Sequence, residues 1–135
     1  MTGRSFLAVS LSVSAALVVL ALVTGRADAA GETKTIATTT TTDFRVIVSA
    51  TNLGGGGGAP EARVTVRAFE RAGGAWRRTS DRRLAGPYFW KTITGPLAVC
   101  KLEIRTTGGR PRALVQLLQS PSLGCGPITE HRLAR

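Results

Sequence analysis

The chain has 135 residues, 18 of them basic and 8 acidic, for a formal net charge of +10. That length fits a single domain with a modest core once any leader is set aside. With two cysteines and one histidine, the composition excludes a four-ligand zinc site built from those residue types.

The N-terminus has the three parts of a secretory signal in order. Met1 to Ser5 is polar and carries Arg4, and Phe6 to Val23 is an 18-residue apolar stretch broken only by Ser10, Ser12 and Ser14. Ala27-Asp28-Ala29 then supplies the small-x-small pattern that a signal peptidase accepts, with the cut expected after Ala29 or one residue later. An uncleaved anchor is the rival, because 18 residues is the lower limit for a membrane span. The serines and the small residues behind the stretch favour cleavage, which leaves no stable span. No cysteine lies near the cut for a lipid anchor, and no Arg-Arg pair marks twin-arginine export. The expectation is a secreted protein with a signal peptide over 1–29.

Without the leader, basic residues fall from 18 to 16 (Arg4 and Arg26) and acidic ones from 8 to 7 (Asp28), a net charge of +9. Such an excess suits an anionic partner: nucleic acid, phospholipid or an acidic cell-envelope polymer. Arginine outnumbers lysine 15 to 3 in a chain rich in Ala and Gly, however, which a GC-rich genome also produces by codon bias. Cys100 and Cys125 both lie in the exported part and are expected to pair in an oxidising compartment. Their spacing is far from the Cys-x-x-Cys of a redox pair.

Residues 30–43 form a polar lead-in with five consecutive threonines, Thr38 to Thr42, read as an extended segment whose second half joins a sheet. The domain proper is expected over 44–135. Phe44 to Thr51 places Phe44, Val46 and Val48 on one face and Arg45, Ile47 and Ser49 on the other. Ala62 to Phe69 sets Val64, Val66 and Ala68 against Arg63, Thr65 and Arg67. Strands are expected at Trp76 to Thr79 and Tyr88 to Thr94, joined by an Arg-rich connection closed by Gly86-Pro87. Ala98 to Thr106 then points Cys100, Leu102 and Ile104 inward, and Arg112 to Gln119, apolar on both faces, reads as a central strand. Gly54 to Gly58, Gly73-Gly74, Gly95-Pro96, Gly108-Gly109 and Pro121 to Pro127 are the turns. The pattern predicts an all-β fold, a small antiparallel β-sandwich of immunoglobulin-like architecture, its strand order undetermined. Trp90 is expected to pack against the Cys100–Cys125 bridge.

Chemistry-bearing motifs are absent from this reading. Gly54, Gly56 and Ala59 match the spacing of a dinucleotide fingerprint, but Pro60 and an alternating segment follow where the motif requires a helix. The segment is read as a hairpin loop, and no cofactor is expected. His131, the one histidine, stands where chain ends fray, a poor place for a catalytic base. Ser120 to Gly124 lacks the first glycine of a nucleophile elbow. Asp43, Glu61, Glu70, Asp81, Glu103 and Glu130 are scattered, whereas glycosidase chemistry needs two carboxylates across a cleft. No enzyme activity, catalytic residue or metal site is expected.

Two leads remain. Arg77, Arg78, Arg82 and Arg83 crowd one hairpin, where guanidinium groups suit bidentate contact with phosphate or carboxylate. Edge arginines also keep sheets from pairing with one another, which is the plainer account of them. Tyr88-Phe89-Trp90 offers flat rings for sugars, although a small core claims most of the six aromatics beyond the leader. The functional expectation is a non-enzymatic binding or envelope-associated module gripping an anionic polymer through Arg77, Arg78, Arg82 and Arg83, or meeting an extracellular protein. Nucleic acid is disfavoured by compartment and by the lack of a motif. The alternative is an extracellular protease inhibitor or effector that presents Ser120 to Pro127 as a stiff loop.

Overall fold

The computed structural model describes residues 29–55 and 58–133; apart from Ala29, the leader expected at 1–29 lies outside them. Nine strands and one turn of helix follow in the order β1 (Thr33–Thr40), β2 (Phe44–Gly54), β3 (Glu61–Ala72), β4 (Ala75–Arg83), β5 (Tyr88–Phe89), α1 (Trp90–Ile93), β6 (Val99–Thr107), β7 (Arg110–Ser120), β8 (Gly124–Cys125) and β9 (Thr129–Arg132). The first sheet runs β1-β2-β3-β4, with β5 extending the β4 edge along β3. The second is centred on β7, with β6 on one side and β8 and β9 on the other. Every pairing is antiparallel, and the arrangement is consistent with a small β-sandwich.

Alternation does the folding work in the first sheet. Val46, Val48 and Ala50 on β2 face the core with Ala62, Val64, Val66 and Ala68 on β3, and all are buried. Ala113, Val115 and Leu117 on β7 close the core from the second sheet, with Leu133 beyond β9. Burial of this apolar set, at roughly 25 cal/mol per Å², is the main force holding the two layers together. Two hairpins turn on paired glycines in the left-handed region. Gly73 and Gly74 (φ 58° and 81°) join β3 to β4, and Gly108 and Gly109 (φ 58° and 72°) join β6 to β7. Positive φ at both central residues is what a type I′ hairpin turn demands.

Three expectations are corrected. The Arg-rich stretch is not a connection: β4 runs unbroken to Arg83, an edge strand that buries little and so shows no apolar signal. Tyr88 to Thr94 is two residues of strand followed by α1, whose Trp90 and Ile93 are completely buried. Cys100 does not face inward. A bulge between Val99 and Lys101 shifts the phase of β6, so Val99 and Leu102 pack on the core while Cys100 is exposed.

The Cys100–Cys125 bond does form, with a Cα–Cα separation of 6.2 Å, and ties β6 to β8 across the intervening β7. Both cysteines are exposed, so the bridge stands on the outside of the second sheet. The indole of Trp90 is instead surrounded by the core, and Lys34 Nζ lies 5.1 Å from its centroid.

Candidate functional site

Directly opposed residues in antiparallel strands project to the same face, so the register of the first sheet sorts its arginines. On β3, Arg63, Arg67 and Arg71 project away from the buried Ala62, Val64, Val66 and Ala68. Across from them, Thr65 pairs with Arg83, Arg67 with Asp81, and Arg71 with Trp76, while Phe69 lies between Arg45 of β2 and Arg78 of β4. The outer face therefore carries six arginines: 45, 63, 67, 71, 78 and 83. Glu61 and Asp81 are the carboxylates on these strands that share it, so six positive against two negative charges leave +4. Threonines of β1 border the field, with Thr38 opposite Ile47 and Thr40 opposite Arg45.

Of the two carboxylates, Asp81 is already engaged. Asp81 Oδ2 accepts from Arg67 Nε at 3.4 Å and from Arg78 Nη1 at 3.5 Å. Ion pairs this exposed are screened by solvent and contribute little to stability. Arg63, Arg71 and Arg83 have no carboxylate partner among the described residues. Trp76 holds two cations by its ring, with Arg45 at 4.5 Å and Arg71 at 5.4 Å from the centroid. A guanidinium over an indole gains electrostatic attraction while its N–H edge stays open to an oxyanion.

The four arginines singled out from the sequence are thus not one cluster. The pleat of β4 divides them. Arg78 and Arg83 belong to the outer face, whereas Arg82 lies opposite the buried Val66 and Arg77 opposite Glu70, on the other side of the strand. A bulge between Ala68 and Phe69 leaves Thr79 as the extra residue, which is why Arg78 and Asp81, three apart, share a face. Arg45, Arg63, Arg67 and Arg71 were missing from that cluster. Alternation already put Arg45, Arg63 and Arg67 on polar faces, but the strand expected to end at Phe69 stopped short of Arg71.

The second side of β4 opens on a groove. Thr79 Oγ1 donates to Leu133 O at 3.2 Å, joining the edges of the two sheets. Beside this contact lies a cleft of ≈ 540 Å³ lined by Ser80, Asp81, Arg82, Glu130, His131 and Arg132. His131 is not in a frayed end. It sits in β9 opposite Ala113, is 5% exposed, and its Nε2 is 3.0 Å from Thr129 Oγ1. Burial, and then the Arg82 charge, hold its pKa below the ordinary 6.5.

Tyr88 and Trp90 are drawn toward the core, while Phe89 is 38% exposed. Between β7 and β8, the turn after Ser120 is closed by Leu123 N–H donating to Ser120 Oγ at 3.1 Å, and Leu123 is 74% exposed. Among the described residues no helix is long and apolar enough to cross a membrane. Compared with protein-family models, curated proteins and solved structures, the chain matches none.

Proposed function

We propose that the chain is a secreted, non-enzymatic, envelope-associated module that engages an anionic polymer through the outer face of its first sheet. The observation that carries this reading is the six-arginine field on three adjacent strands. Three of its arginines lack a carboxylate partner and two are braced on Trp76. Strands spaced about 4.8 Å apart, with same-face residues about 6.7 Å apart along each, make a rigid grid rather than a single point charge. A linear polyanion can meet several guanidinium groups on such a grid at once. The disulfide supports an oxidising compartment, in line with the leader-like N-terminus. The immunoglobulin-like comparison is retained only as two facing sheets, since strands adjacent in the first sheet are mostly adjacent in sequence.

The test is co-sedimentation of the oxidised protein with isolated cell envelopes at low and high salt. Exposed charges are largely screened beyond about 8 Å at physiological ionic strength, so binding is expected at low salt and release as salt rises. Replacing Arg63, Arg71 and Arg83 together by Ser is expected to weaken binding by about 1 kcal/mol, or about fivefold, per charge. Arg77→Ser, off the face, serves as the control. Failure to bind at either salt, or a triple variant that binds like the parent, overturns the reading.

A second reading has its own observation. The turn after Ser120 presents Leu123 at 74% exposure, beside the anchored Cys125, which fits a rigid loop offered to a protease or another extracellular protein. Association of that kind persists at high salt and is lost in Leu123→Ser.

A further inference from the structure

The cleft between β4 and β9 has its own chemistry, independent of the arginine face. Its two carboxylates are turned to other cations: Asp81 to Arg67 and Arg78, and Glu130 Oε2 to Arg112 Nη1 at 2.6 Å. Arg82 and Arg132 form no ion pair among the described residues. Ser80 and Arg82 lie opposite Ala68 and Val66, and His131 lies opposite Ala113, so all three approach the cleft from the inner sides of their sheets. His131 Nδ1 is buried without a hydrogen-bond partner. Such atoms are rare, because each leaves a desolvation cost unanswered.

An oxyanion meets both features once the ring is protonated. It accepts from the guanidinium of Arg82 and from an Nδ1–H that only the imidazolium carries, because Thr129 Oγ1 gives its own proton to Val115 O and accepts the Nε2–H of the neutral ring. The volume, ≈ 540 Å³, falls in the range of roughly 300–1,000 Å³ that holds small organic ligands and far exceeds a bare anion. We propose that the β4–β9 cleft is a binding site for a small organic oxyanion, a phosphomonoester or a carboxylate, seated on Arg82 and Arg132 with Ser80 and His131 in its wall. Nδ1 has no exposed surface of its own, so contact with it requires neighbouring side chains to shift. Arg82, exposed and unpaired, is placed to do so.

Binding is coupled to a proton. The charged groups around the imidazole are Arg82 and Asp81 on β4 and Glu130 and Arg132 on β9, while β7 places Ala113 opposite the ring and Arg112 on the Glu130 carboxylate. Burial and Arg82 disfavour the imidazolium in the empty cleft. An anion between Arg82 and His131 offsets that repulsion, so protonated His131 and bound anion stabilise one another.

The chain has a single histidine, so its ring-proton NMR signal reports this site alone. The pH titration of the intact protein is run in chloride and, at matched ionic strength, with glycerol phosphate or with glucuronate. A saturable rise of the His131 midpoint by about half a unit, a threefold linkage, is expected with at least one of the two. The one that acts identifies the ligand as phosphomonoester or carboxylate. Arg82→Gln raises the midpoint of the empty protein and abolishes the response to the anion; Lys101→Gln, on β6 and outside both the cleft and the arginine face, leaves both as they were. No response to either anion, a response equal to that of chloride, or one that survives Arg82→Gln overturns the proposal. Because Arg82 lies off the arginine face, none of these results depends on envelope binding.

Discussion

The Arg45 guanidinium on β2 reaches across β3 to lie 4.5 Å from the centroid of Trp76 on β4. This contact ties three strands of the first sheet together on the face that carries the six arginines, and it makes Trp76 an optical probe of that face. The other tryptophan, Trp90, is completely buried. A polyanion that recruits Arg45 and Arg71 draws them from the indole, so titration with polyphosphate or polygalacturonate is expected to change tryptophan emission. The change disappears in high salt and is absent in Trp76→Phe. Emission that stays constant while sedimentation still detects binding places the contact elsewhere on the protein.

The disulfide is expected to matter for stability and little for shape. It closes a loop with a sequence separation of 25, which on chain-entropy grounds stabilises the fold by roughly 3.5 kcal/mol. Neither cysteine contributes to the core, so Cys100→Ser/Cys125→Ser is expected to keep its sheet content. For a domain of this size the loss corresponds to a fall in Tm of roughly 15–25 °C. Circular dichroism against temperature reads both quantities, and the exposed bond should open to mild reductant without prior unfolding. An unchanged Tm shows that residual structure in the unfolded chain already supplies the constraint.

The two glycine hairpins carry a sharper expectation. A Cβ on Gly73 or Gly108 meets no atom within 4 Å, so any cost of substitution comes from the positive φ alone. Gly73→Ala and Gly108→Ala are each expected to destabilise by about 1–2 kcal/mol. Gly58→Ala, where φ is not positive and space is equally open, should stay within about 0.5 kcal/mol. Denaturant midpoints at constant m-value separate the two classes.

What could be read from the residues follows the same physics. Strands with one buried face announce themselves by alternation, and Val64, Val66 and Ala68 against Arg63 and Arg67 gave β3 its correct orientation. An edge strand buries almost nothing, so β4 beyond Thr79 read as a connection and its arginines as a cluster, although the pleat sends Arg82 and Arg83 to opposite sides. Bulges defeat period-two reading outright. One extra residue moved Cys100 from the core to the surface, and another put Arg78 and Asp81 on one face. The cleft was invisible for a further reason: it joins residues 80–82 to 130–132 across two sheets, and only tertiary packing brings them together.

His131 sets the expected pH dependence. Its pKa in the folded protein is lowered from 6.5, by burial first and by Arg82 second, so in this range the unfolded chain binds more protons than the folded one. Stability from this group is therefore fully present above the unfolded value and is lost as pH falls through 6.5 toward the folded pKa. Thermal midpoints at pH 7.5 and pH 5 are expected to differ in that direction, and His131→Gln should flatten the slope between them. A saturating oxyanion in the cleft raises the folded pKa and should reduce the same slope in the parent protein, leaving the Gln variant unaffected. A slope identical in parent and His131→Gln assigns the acid sensitivity to the carboxylates instead.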